Sequence, residues 1–337
     1  MNTPLKKVTK LLSPRILSPV SPKFLNLINY PHIPNVENIK HIPKRINFSE
    51  VEKIKSVSPI QIRISQASED LLTEVKNDVL INTPNKLKFT KLGIEDDKHF
   101  NIMGKGSFGK VFKAQYKGKT VAMKLVKSNS HHRETNSLHL NHTNIVKTLE
   151  IIQRKNGIYS LIIMEYLPKS KNLQNVINNS KFDIDYLKYS QDICKGLLHC
   201  HSSGILHLDI KPSNIVVYEG VCKICDFGNS VDISDNTSYI NHGTIQFTAP
   251  EILVGKEPTT KCDIYSLGIT FWQMKTRQTP YEDCDNIECV IYKVVKCNLR
   301  PDLKEPLDSF SKLYQQCWDQ NPNNRPNVAN VLKMLSC

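Results

Sequence analysis

The chain predicts an α+β fold preceded by an unpacked arm, and three features carry that expectation. Extended segments of alternating polarity occupy the stretch after Gly104, a short segment around Glu134 looks helical, and residues 1–60 hold eight prolines and no tryptophan. An arm so poor in periodic apolar positions cannot bury enough surface to offset the entropy of ordering it. Residues 1–90 are therefore expected to be a disordered, basic, Pro/Ser-rich arm, and residues 91–337 a folded domain.

The first extended segments run through Val111, Lys113 and Gln115 and resume at Val121-Ala122-Met123-Lys124. The glycines of Gly104-Lys105-Gly106-Ser107-Phe108-Gly109-Lys110-Val111 thus join two strands and do not open a helix, which disfavours the dinucleotide-binding reading of the same spacing. Glycine lets backbone approach phosphate oxygens without a Cβ in the way and admits positive φ, so this run is expected to form a lid over a nucleotide. Leu161-Ile162-Ile163-Met164-Glu165-Tyr166 reads as an apolar strand ending in a polar turn, and Val221-Cys222-Lys223-Ile224-Cys225 as a shorter extended run. Between Lys124 and Leu161, a short polar helix is expected around Glu134, with Ser130 as its cap and Leu138 on the same face as Glu134. A buried ammonium at Lys124 needs a counter-charge, and Glu134 is the only acid between Lys124 and Glu150.

The most informative stretch is His207-Leu208-Asp209-Ile210-Lys211-Pro212-Ser213-Asn214, which sets an acid, a base and an amide at the spacing of a phosphoryl-transfer site. Asp226-Phe227-Gly228 follows, and Ala249-Pro250-Glu251 closes a segment of 26 residues counted from Asp226. Together with the glycine run and Lys124, these five motifs resemble the protein kinase family in order and spacing. That resemblance implies a two-lobed fold, with a five-stranded antiparallel sheet and one helix in a lobe at about 95–167 and a mainly helical lobe at about 168–335. It implies ATP and Mg²⁺ as cofactors. Asp209 would orient the substrate hydroxyl and accept its proton, Lys124 would reach the phosphates with Glu134 as partner, and Asn214 and Asp226 would hold the metal ions. Met103, the glycine run Gly104 to Val111, Ala122, the gatekeeper Met164, Glu165 and Leu167 would surround the nucleotide. Asp263 resembles the acid that braces the catalytic loop from a buried helix, and Arg325 the partner of Glu251 in a buried ion pair.

Lys211, two residues after Asp209, and Thr244, which would bridge the two, are the pattern of Ser/Thr kinases. Leu208 stands where most family members carry arginine. That leucine, the run Asp263 to Met274, Thr279-Pro280-Tyr281 and Asn298-Leu299-Arg300-Pro301 resemble the MAP kinase kinase kinases of oocyte meiosis over roughly residues 95–335. This branch implies MAP kinase kinase as protein substrate and a monomeric enzyme. Another Ser/Thr kinase of the same class, or a pseudokinase scaffold, is the competing reading, although every phosphate, metal and hydroxyl contact has its residue.

Charge is uneven. The chain carries a formal net charge of +13, of which +7 falls in residues 1–48, where eight Lys or Arg face the single acid Glu37. Nucleic-acid or membrane attraction, a transit peptide and a basic docking arm compete for this feature. Pro14, Pro19 and Pro22 would break an import helix, and no interleaved aromatics suggest nucleic acid. No apolar run reaches the roughly 18 residues of a membrane span. Thr3-Pro4, Ser13-Pro14, Ser18-Pro19, Ser21-Pro22 and Ser58-Pro59, with the basic-apolar stretch Lys44-Arg45-Ile46-Asn47-Phe48, suggest feedback phosphorylation by a MAP kinase. All ten cysteines lie from Cys194 onward. Cys222 and Cys225 form a C-x-x-C without a second pair at ligand spacing, so a structural role is expected, in a cytoplasmic protein with reduced thiols.

Overall fold

A computed structural model of the chain describes residues 79–81, 102–106, 109–127, 131–153, 159–235, 243–303 and 307–336. Most of the expected arm, the helix-capping Ser130, and Ser107 and Phe108 at the tip of the glycine run lie outside the described residues.

The first lobe is built on six antiparallel strands: β1 (Val79–Ile81), β2 (Ile102–Gly106), β3 (Gly109–Tyr116), β4 (Lys119–Lys127), β5 (Thr148–Gln153) and β6 (Tyr159–Glu165). The order is β1-β3-β4-β6-β5, with β2 also on β3. Five strands match the expectation. The sixth, β1, comes from the stretch assigned to the arm. Val79 to Ile81 pair with Tyr116 to Ala114, while β2 pairs with the same edge of β3 nearer its start, through Ile102 opposite Phe112 and Gly106 opposite Gly109. An edge strand needs only a few residues to use open backbone groups, and so short an apolar run is averaged away in the composition of a 90-residue segment.

Register separates the two faces of this sheet. Ala114, Tyr116, Val121, Met123, Leu161 and Ile163 pack into a buried cluster on one face. Val111 is opposite Lys124, and Ala122 is opposite Met164, so these four share the other face. Alternation along β4 thus delivers Ala122 and Lys124 to a single surface.

After β4, the helix α1 (His131–Glu134) is a single turn that tightens into a 3₁₀ segment over Thr135–His139. The expected pairing of Glu134 and Leu138 on one face does not occur: Glu134 is 4% exposed and Leu138 is 36% exposed. With three residues per turn, the residue under Glu134 is i+3, and Ser137 is buried there in place of Leu138.

The second lobe begins with β7 (Lys171–Asn172), α2 (Leu173–Asn178) and α3 (Tyr186–Ser202), whose N-cap Asp185 accepts from the Lys188 amide at 3.0 Å. Three short pairs of strands frame the catalytic region: β8 (Ile205–Leu206) with β11 (Val231–Asp232), and β9 (Ile215–Tyr218) between β10 (Val221–Ile224) and β7. The helices α4 (Pro250–Leu253), α5 (Thr260–Thr276), α6 (Ile287–Lys296), α7 (Ser309–Cys317) and α8 (Val328–Leu335) complete it. Helix α5 is buried on every side from Cys262 to Met274, and the polar side chains within that run, Asp263, Ser266, Thr270 and Gln273, all make hydrogen bonds. It is the floor on which the catalytic loop rests.

The lobes meet where Val146 N–H donates to Ile224 O at 2.8 Å and Ile224 N–H donates to Asn144 O at 2.8 Å. Gly196 of α3 lies directly beneath. A Cβ there would sit 2.6 Å from Asn144 O, so only glycine lets α3 approach this junction so closely.

Candidate active site

The catalytic loop lies between β8 and β9 and is held from below by Asp263 of α5. Its carboxylate is fully buried and accepts from His207 N–H at 2.9 Å and from Leu208 N–H at 2.7 Å. Burial would raise this acid, but the His201 imidazole, 2.9 Å away, outweighs that and holds it below the ordinary aspartate value. The brace compensates for strain: Leu208 has φ 58, and Asp226 of the facing segment has φ 67. His207 is fully buried, and burial lowers its basicity, so the ring is neutral. That suits its contacts, with Nδ1 accepting from Asp209 N–H at 3.2 Å and Nε2–H donating to Cys225 O at 3.2 Å.

Three sequence-singled residues converge on Asp209. Lys211 Nζ donates to Asp209 Oδ2 at 2.7 Å, Asn214 Nδ2 donates to Asp209 Oδ2 at 2.8 Å and to its carbonyl at 2.9 Å, and Thr244 N–H donates to Oδ1 at 3.1 Å. The Thr244 hydroxyl accepts from Lys211 Nζ, so Thr244 bridges the pair as expected. Gly243 makes that possible. Its φ is 63, and a Cβ would lie 2.6 Å from Leu208 O.

On the opposite side of the cleft, Lys124 Nζ contacts Asp226 Oδ1 at 2.6 Å and forms an ion pair with Glu134. Burial raises the Glu134 carboxyl above its ordinary value, opposed by the Lys124 ammonium and the Phe227 backbone. Burial favours a neutral Lys124, but Asp226 and Glu134 outweigh it and raise its affinity for the proton. Burial likewise opposes charge on Asp226, and Lys124 outweighs it, holding this carboxylate below its ordinary value. The ammonium and the Asp226 carboxylate are therefore both charged.

Not all the expected nucleotide contacts are equally placed. Ala122 is buried on the Lys124 face, with Val111 and Met164 half-buried beside it, and Leu167 is buried after β6. Met103 lies at an irregularity between Ile102 and Gly104 and is 44% exposed. Gly104, Lys105, Gly106, Gly109 and Lys110 form the two strands of the glycine hairpin. The Glu165 side chain ties β6 to neighbouring backbone and strand: it accepts from Lys147 N–H at 2.9 Å and from Lys223 Nζ at 3.0 Å. Any adenine contact at Glu165 thus falls to its main chain. Cys222 is fully buried, and burial pushes the Cys225 thiol up to about 12, which leaves it a poor nucleophile. Among the described residues, no group of three His, Cys, Asp or Glu could hold a metal ion.

Arg325 is 1% exposed and binds Glu251 at both ends, at 2.6 and 2.9 Å. His201 and Asn136, which sequence reasoning missed, also join this machinery, as does Ser230, which the sequence offers only as one candidate phosphorylation site of the activation segment. No spacing rule singles out a histidine two turns before a loop or a serine two residues after a glycine.

The protein kinase domain family matches residues 98–335. The chain is 37% identical over 269 residues to the Ser/Thr-protein kinase mos of Patiria pectinifera, an alignment covering 72% of this chain and 76% of that protein. It is 32% identical over 286 residues to the mos kinase of Xenopus laevis, covering 75% and 79%, and 35% identical over 283 residues to the proto-oncogene kinase mos of Mus musculus, covering 72% and 81%. The chain belongs to the Mos family of Ser/Thr protein kinases.

As a Mos-family kinase it acts on protein substrates and uses ATP with a divalent metal. The donor set suits a hard cation. Asn214 commits its amide nitrogen to Asp209 and leaves its oxygen as a ligand atom, while Asp226 offers a carboxylate, so these two residues would hold a divalent ion that offsets phosphate charge. In this Mos-family chain Leu208 does more than omit an arginine: its side chain is 8% exposed and belongs to the second lobe's core. Among the described residues, no helix is long and apolar enough to cross a membrane.

Proposed function

We propose that this Mos-family kinase transfers the γ-phosphoryl group of ATP, bound with Mg²⁺, to serine or threonine hydroxyls of a MAP kinase kinase, as a cytoplasmic MAP kinase kinase kinase of oocyte meiosis. The observation that carries the chemistry is the convergence of Lys211, Asn214 and Thr244 on the Asp209 carboxylate. An acid fixed by three donors cannot rotate away, so it presents one oxygen edge to an incoming hydroxyl, accepts its proton and aligns its lone pair. Lys211 sits between that acid and the position of the γ-phosphate, where its charge offsets the negative charge that develops on transfer. Lys124 holds the other phosphates from the opposite wall. Mg²⁺, when bound at Asp226 and Asn214, neutralises the phosphate oxygens. The choice of MAP kinase kinase is supported by the loop and helix sequences shared with the oocyte kinases. A purified chain offered MAP kinase kinase and generic Ser/Thr peptides side by side should phosphorylate the former at least about tenfold more efficiently. Equal efficiency would favour a Ser/Thr kinase with a different substrate.

The same reading predicts that activity does not depend on a phosphorylated activation segment. Leu208 cannot bind a phosphate, and Asp232 already accepts from Ser234 N–H at 2.8 Å and from Ser234 Oγ at 2.7 Å. A phosphate on Ser234 would displace that contact and meet a carboxylate. Thr237 and Ser238 lie outside the described residues. Phosphatase treatment, or Ala at Ser234, Thr237 and Ser238, should change turnover by less than about tenfold, or ~1.4 kcal/mol in the barrier. A larger fall would make segment phosphorylation the controlling event. We also propose that the Ser-Pro sites of the arm receive feedback phosphate from a MAP kinase. A peptide of residues 1–70 that takes up no label from an active ERK-type kinase would remove that link.

A further inference from the structure

The helix that carries Glu134 has little reason to stay in place by itself. It is one turn long, its sequence His131-His132-Arg133-Glu134-Thr135-Asn136 is polar, and it passes at once into a 3₁₀ segment. A single turn does not offset the cost of its own nucleation, so tertiary contacts must hold it. In kinases with arginine at the Leu208 position, a phosphate on the activation segment supplies part of that order, and this chain lacks the arginine.

Ser230 occupies the place where a substitute would be needed. It lies two residues after Asp226-Phe227-Gly228 and is 1% exposed. Its hydroxyl donates to Arg133 O at 2.9 Å and accepts from Asn136 Nδ2 at 2.9 Å. One oxygen therefore clasps both ends of the tetrapeptide Arg133-Glu134-Thr135-Asn136, with Glu134 inside it. The Ser230 N–H donates to Phe227 O at 3.0 Å, closing a turn onto the segment that carries Asp226, the partner of Lys124. The Ser230 hydroxyl itself is closed off from water, so losing either bond would leave a buried oxygen short of a partner.

We propose that Ser230 and Asn136 are positioning residues for phosphoryl transfer: they latch the Glu134 turn to the segment carrying Asp226 and so keep Lys124 aligned, in place of an activation-segment phosphate. The latch rests on the kinase reading above and deepens it by naming how the active arrangement is kept. A corollary concerns modification. Ser230 is not an activating phosphorylation site, because its hydroxyl is engaged and a phosphate there would break both bonds.

The test is steady-state kinetics on the purified full chain and on Ser230→Ala, Asn136→Ala and the double variant, with thermal midpoints measured alongside. Each single substitution should lower kcat roughly tenfold with the KM for peptide unchanged within about twofold. The double variant should be no more than about threefold worse than the poorer single one, because both remove one shared interaction. Asn136 is half-buried, so its variant decides the matter if Ser230→Ala fails to fold. Single variants retaining more than about a fifth of wild-type kcat, or losses that multiply in the double variant, would overturn the latch. An inactive wild-type chain would instead reject the kinase reading itself.

Discussion

Asp209→Asn is expected to lower turnover by at least about a hundredfold, ~2.7 kcal/mol in the barrier, with the fold retained. Asparagine has nearly the same shape, and its oxygen can still accept from Lys211 and Asn214, while its NH2 gives up the bond from the Thr244 N–H. What disappears is the negative charge that orients the substrate hydroxyl and accepts its proton. Phosphate incorporation above about a tenth of wild type would reject the role assigned to Asp209. The companion substitution, Lys124→Met, should be as damaging to catalysis but is not neutral to the fold. Lys124 is 3% exposed and neutralises both Asp226 and Glu134, so methionine leaves two carboxylates together without their cation. Its two buried partners make the Lys124 charge part of what the core depends on. Lys124→Arg keeps the charge and should retain folding while misplacing the phosphates.

Arg325→Ala should cost about 3–5 kcal/mol of stability, the range for removing one partner of a buried pair. The guanidinium binds Glu251 twice, donates to Asp319 O at 2.8 Å and to Lys261 O at 2.9 Å, and stacks 5.1 Å from the centre of the Tyr265 ring. Alanine would abandon all of these and leave the Glu251 carboxylate, 8% exposed, without a counter-charge. At the usual slope of roughly 2–4 °C per kcal/mol for a domain of this size, the melting temperature should fall by roughly 10 °C. A fall under about 3 °C would mean that the pair is not holding α4 to the helical core. Replacing both partners with apolar residues of similar volume should recover part of the loss, since the unpaired charge is then gone.

What the sequence determined by itself is the local chemistry. The catalytic loop could be read from Asp209, Lys211 and Asn214 because their roles depend on backbone spacing within eight residues, a distance over which one turn of chain sets geometry. Alternation likewise placed Ala122 and Lys124 on one face of β4, since side chains in a strand change sides at every residue. Beyond the long-range pairs that the family resemblance implied, such as Glu251 with Arg325, tertiary structure alone decided what joins distant segments. Leu138 points to solvent because a 3₁₀ turn, stabilised by packing against the sheet, replaced the α-helical period that sequence assumes. The edge strand Val79–Ile81 exists because β3 leaves open backbone groups beside it, not because of anything periodic in its own residues. His201 and Ser230 acquired their parts in the same way. A hydrogen bond across 62 residues to Asp263, or across 97 to Arg133 O, depends on which surfaces the core brings together, and no spacing in the chain encodes that distance.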